Sequence, residues 1–141
     1  MPVNNTPRRE FVFDGEKFST IDEFYTEMER LLTKDLSWRT GRNPDAFNNL
    51  LRGGFGRHEY GEPIHIKWVN FSKSRANLGY RATVKYLENI VNSCHPLNVD
   101  LNLERLEEAK NGRGPTILDK ILEIILNTNN SGHDCTLETC E

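Results

Sequence analysis

Apolar positions along this chain follow two periods, and the switches between them predict its elements. Phe11-Val12-Phe13, closed by Asp14-Gly15, predicts a short strand ending in a turn. Ile21, Phe24, Tyr25, Met28, Leu31 and Leu32 recur every three or four residues, which predicts an amphipathic helix, with Ser19 three residues ahead of Asp22 as its start signal. Asn43-Pro44-Asp45 predicts a second helix start: asparagine caps backbone N–H groups, proline has no N–H to leave unpaired, and aspartate complements the positive helix end. Gly53-Gly54 should stop that helix after little more than two turns. Ile64 to Val69 alternates apolar and polar after Pro63 and predicts a second strand.

Helical spacing returns at Val84, Leu87, Ile90 and Val91, and again from Leu101 to Leu106. Ile117 to Leu126 is the most apolar helical run and should be largely buried. Cys135 to Cys140, with Thr136 and Thr139, predicts a last strand. Helices between successive strands leave too much chain for hairpins, so right-handed crossovers and a small three-stranded parallel sheet follow, an α/β fold. At 141 residues the chain is long enough for one core. Residues 1–10 read as a tail and 11–141 as a single domain.

Charge narrows the function. The net charge of −3 provides no global positive field for a nucleic acid backbone, so direct nucleic acid binding is not expected. Residues 63–97 depart from this, with Lys67, Lys73, Arg75, Arg81 and Lys85 against Glu88 alone. Their alternative reading is a regulatory or RNA-associated module; a solvated surface is the simpler one, because aromatic residues are not regularly interleaved with the basic ones. No apolar run is long enough to cross a bilayer, and the first residues lack the basic-then-apolar order of a secretory signal, so neither membrane nor export is expected. Cys94, Cys135 and Cys140 are odd in number and lack close pairs, which fits reduced thiols in the cytoplasm.

Catalytic signals are weak. Cys94-His95 sets a thiol beside an imidazole, but adjacent side chains diverge. His133, Cys135 and Cys140 lack the spacing of common zinc sites, and a strand would turn the two cysteines to opposite faces. Gly53-Gly54-Phe55-Gly56 follows a helix, whereas a phosphate cradle precedes one. His58 and His65 have no evident sequence partner. No catalytic residue, metal or cofactor is therefore expected.

The run from Gly41 to Gly56 resembles the second-helix motif of the barstar family of intracellular ribonuclease inhibitors, Gly-x-Asn-x-Asp-Ala-Leu-x-Asp-x-Leu. Gly41, Asn43, Asp45, Ala46 and Leu51 match, Phe47 stands for leucine, and Asn49 stands for aspartate. Gly132 to Leu137 resembles that family's last turn and strand, and residues 71–114 then form a helical insertion. The resemblance implies a barstar-like fold and a non-enzymatic immunity protein that binds a cognate nuclease toxin through this helix and the loop before it. It assigns the contact to Trp38, Arg39, Gly41, Asn43, Asp45, Asn48, Asn49, Arg52 and Gly53. The residues themselves agree on the geometry: Ala46, Phe47, Leu50 and Leu51 mark a buried side, leaving Asp45, Asn48, Asn49 and Arg52 as an outward stripe.

Overall fold

The computed structural model describes residues 8–35, 43–127 and 132–141. In chain order the elements are β1 (Arg9–Asp14), α1 (Ile21–Leu32), α2 (Pro44–Arg52), β2 (Ile64–Val69), α3 (Phe71–Asn77), α4 (Tyr80–Ser93), α5 (Val99–Lys110), α6 (Ile117–Leu126) and β3 (Cys135–Thr139). The strands form one open parallel sheet in the order β1-β2-β3, so the fold is α/β with a small three-stranded parallel sheet.

Register follows from which alternate residues are apolar. Phe11 and Phe13 of β1 pair with Ile66 and Trp68 of β2, and Ile64 pairs with Cys135 of β3. All six are buried on one face. The other face carries Glu10, Val12, His65, Lys67, Thr136 and Glu138, each at least partly exposed. Helices therefore pack on the apolar face.

Trp68, fully buried, stacks on Phe24 at 6.0 Å between ring centroids and meets Phe13 and Phe71 edge-on. Its indole N–H would be costly to leave unpaired there, and it donates to Ser74 Oγ at 3.0 Å. The expected burial of α6 holds for Ile117, Leu118, Ile121 and Ile125, whereas Leu126 is exposed. A second, smaller core of Leu87, Leu106 and Ala109 lies within the α4–α5 pair.

Two local readings are corrected, and one helix is added. The first strand begins at Arg9, inside the expected tail, and Arg8 is already tied down by Asp134 Oδ1 at 2.9 Å and by the carbonyls of Ile64 and Asp134. The cap of α1 is Thr20, not Ser19: Thr20 Oγ1 accepts from Glu23 N, and Glu23 Oε1 accepts from Ser19 N. Shifting by one residue brings in Glu23, whose carboxylate reaches back to the residue before the cap rather than to the cap itself, so the reciprocal bond of a full capping box is displaced by one position. Helix α3 follows β2 with no side-chain cap, after Asn70 turns the chain in a left-handed conformation at φ 53°.

Candidate functional site

Helix α2 is built from both ends inward. At its start Asn43 Oδ1 accepts from Ala46 N at 2.8 Å, Pro44 occupies the first turn, and Asp45 sits among the unpaired N–H groups of the helix end. Phe47, Leu50 and Leu51 are at most 1% exposed and anchor the helix to the core, where Phe47 packs edge-on against Phe24. The opposite edge faces out. Asp45 and Asn49 are exposed, while Asn48 and Arg52 are half-buried.

The polar edge is organised. Arg52 donates to Asn49 Oδ1 at 3.0 Å, and its stem lies so close to Gly132 that a Cβ there would approach Arg52 Nε to 3.0 Å. Asn49 therefore keeps its amide N–H groups for a partner while its oxygen holds the arginine. The Asp45 carboxylate is in no ion pair among the described residues.

Gly53 ends the helix. Its φ of 90° with ψ of −166° belongs to glycine alone, and it is buried. Behind it His58 donates from Nε2 to Leu51 O at 3.0 Å and packs edge-on against Phe11 at 5.3 Å. Gly54 N bonds His58 O, Gly61 N bonds Arg52 O, and Lys34 N bonds Phe55 O, so the loop is laced to both α2 and the end of α1. His58 is thus a structural latch.

Of the nine residues assigned to the contact, Trp38, Arg39 and Gly41 lie outside the described residues. Asn43 and Gly53 serve as helix cap and helix stop. Asp45 and Asn49 share the outward edge with the half-buried Arg52, whereas Asn48, expected there too, turns its amide oxygen away from solvent. Sequence reasoning missed Tyr60, which is 73% exposed beside Gly54 in the same loop. An aromatic residue between glycines in an otherwise polar turn was the available signal, because nothing nearby offers it a core. Glu62 is occupied elsewhere: it accepts from Glu59 N and pairs with Arg9, and these bonds hold its carboxyl below the usual value.

The other candidates separate. Cys94 Sγ points to Val91 O, whereas His95 Nδ1 accepts from Leu97 N, so thiol and imidazole serve different backbone groups. Burial pushes the Cys135 thiol up to about 12, away from thiolate reactivity. His65 does find partners, Thr136 Oγ1 at 2.7 Å and Glu138 Oε1 at 3.3 Å, across the exposed sheet face. Only the parallel register reveals them. In the basic stretch, Lys73 pairs with Glu16, and Arg75 pairs with Glu141 while lying over the Phe71 ring. Among the described residues no group of His, Cys, Asp and Glu is placed to hold a metal ion, and no helix is long and apolar enough to cross a membrane.

Comparison of the chain with protein-family models and with curated proteins finds no match. The resemblance to the barstar family therefore rests on the Gly41–Gly56 run, the last strand and the order of elements.

Proposed function

We propose that this chain is an intracellular immunity protein that blocks a nuclease by laying the polar edge of α2 across its basic active site. The observation that carries the reading is the exposure of Asp45 and Asn49 on a helix whose other side is buried by Phe47, Leu50 and Leu51. Both ends of that helix are pinned, so little conformational freedom is lost on binding. Nuclease sites are basic because they hold phosphodiesters. Asp45 takes the place of a phosphate and gains charge-assisted hydrogen bonds, and Asn49 adds directional ones through its amide.

Tyr60 supplies an exposed aromatic contact at the far end of the same surface, the residue type that hot spots favour. In the resemblance Trp38 and Arg39 play that part on the approach side. The pairing of Lys73 and Arg75 with acids also supports this reading over an RNA-binding one, since both charges are partly neutralised within the chain.

The test titrates the purified chain against a panel of ribonuclease toxin domains while cleavage of a fluorogenic RNA is followed. At least one enzyme should be inhibited stoichiometrically, and the Asp45→Arg/Asn49→Arg double variant should lose at least about thirtyfold in affinity, the hot-spot scale. Circular dichroism confirms that the variant is folded. Absence of inhibition across the panel, or undiminished inhibition by the folded double variant, refutes the proposal.

A further inference from the structure

A cleft of about 620 Å³ opens between the α4–α5 pair and the helices of the main core, within the size range of small-molecule sites. It is the seam between the two cores. Tyr25, Phe47, Tyr86, Ile117, Ile121 and Ile124 contribute its apolar walls. Loss of water around the two tyrosines raises both phenol pKa values, and that of Tyr25 is raised further by the nearby Tyr86.

Against these walls stands an amide side chain without a partner among the described residues. Asn102 lines the cleft, is only 8% exposed, and its amide has no hydrogen bond among the described residues. Facing the cleft without an internal partner, that amide is free to hydrogen-bond a molecule that enters. At the mouth, Arg105 and Arg113 are in no ion pair among the described residues, and Lys120 reaches Glu123 only at 4.0 Å. Glu108 is the other carboxylate there, so three cations face two acids and the mouth keeps a net positive charge.

We propose that this cleft binds a small organic anion with an apolar body, its carboxylate held by Arg105, Arg113 and Asn102 and its body lying between Tyr25, Tyr86 and Ile124. Guanidinium forks match a carboxylate bidentately, and the Asn102 amide donates a further hydrogen bond from the buried side. A neutral ligand of the same shape leaves the two arginines unused. A cationic one meets repulsion.

Isothermal titration of the full chain with decanoate and with 1-decanol tests this, independently of any nuclease. Decanoate should saturate a single site and bind about tenfold tighter than the alcohol, the scale of one charge-assisted contact. Arg105→Gln/Arg113→Gln should erase that difference. Ile124→Trp, at a half-buried wall position, should weaken both ligands by about tenfold or more, with the fold checked by thermal melting. Absence of saturable decanoate binding overturns the proposal, as do equal affinities for acid and alcohol, or unchanged binding in either folded variant.

Discussion

Gly53→Ala isolates the turn that fixes the end of α2. At φ 90° and ψ −166° the backbone occupies a region nearly closed to residues with a Cβ, which alone costs about 1 to 3 kcal/mol. The added methyl also has no room: an ideal Cβ lies 2.5 Å from Glu59 O and 2.7 Å from His58 Nε2. The first obstacle is backbone, and the second is held by its bond to Leu51 O. Forcing them apart adds an overpacking cost of about 1 to 3 kcal/mol, for a combined loss of roughly 2 to 6 kcal/mol against a typical stability of about 5 to 15. Urea unfolding followed by circular dichroism should show an unchanged slope and a midpoint lowered by about 2 M. Gly61→Ala is the control, because φ there is also positive, at 78°, but nothing lies within 4 Å of the new methyl. It should lose only about 1 kcal/mol. Equal losses in the two variants, or less than about 1 kcal/mol for Gly53→Ala, would refute the steric reasoning.

Three further outcomes follow from single contacts. Thr83 Oγ1 accepts from Ile117 N at 2.9 Å and joins α4 to the start of α6, so Thr83→Val should cost about 1 to 3 kcal/mol in chemical unfolding while Thr83→Ser restores most of it. Asn43→Ala removes the α2 cap and should cost about 1 kcal/mol; a thermal midpoint within error of the parent protein would argue against that cap. His133 is buried, and desolvation holds its pKa below the ordinary 6.5, so in that window the unfolded chain binds the proton that the folded chain refuses. Stability should therefore be full above about pH 6.5, fall as the pH drops through it, and level off below the folded value. Replacing His133 with Gln should flatten urea midpoints measured between pH 7.5 and 5.5, and an unchanged slope would count against this assignment.

Legibility varied with how local the cause was. Helix α2 was bounded correctly at both ends because its signals, Asn43-Pro44 before it and Gly53 after it, act within one turn. The strand Ile64–Val69 was equally plain, since alternation needs no knowledge of the partner strand. Helix α3 escaped because its start depends on Asn70, whose left-handed turn is supported by a hydrogen bond to Asp14 Oδ1 from across the sheet. His65 looked isolated for the same reason: its partners lie 71 and 73 residues away. Tyr60 carried a weak signal that was overlooked, and the cleft carried none, because its walls come from α1, α2, α4, α5 and α6 together.

From the sequence alone came the buried side of α2 and the outward direction of Asp45 and Asn49, set by periodicity and capping within a few residues, and the α/β class with its parallel sheet, set by the order of elements and the length of chain between strands. Tertiary structure alone decided which side chains reach one another over long separations: the His58 latch on α2, the Arg52–Gly132 contact that braces its polar edge, and the gathering of Asn102, Arg105 and Arg113 around an apolar seam. Local periodicity says which way a residue faces. What it then meets depends on how separate helices and strands pack, and no short window of sequence holds that information.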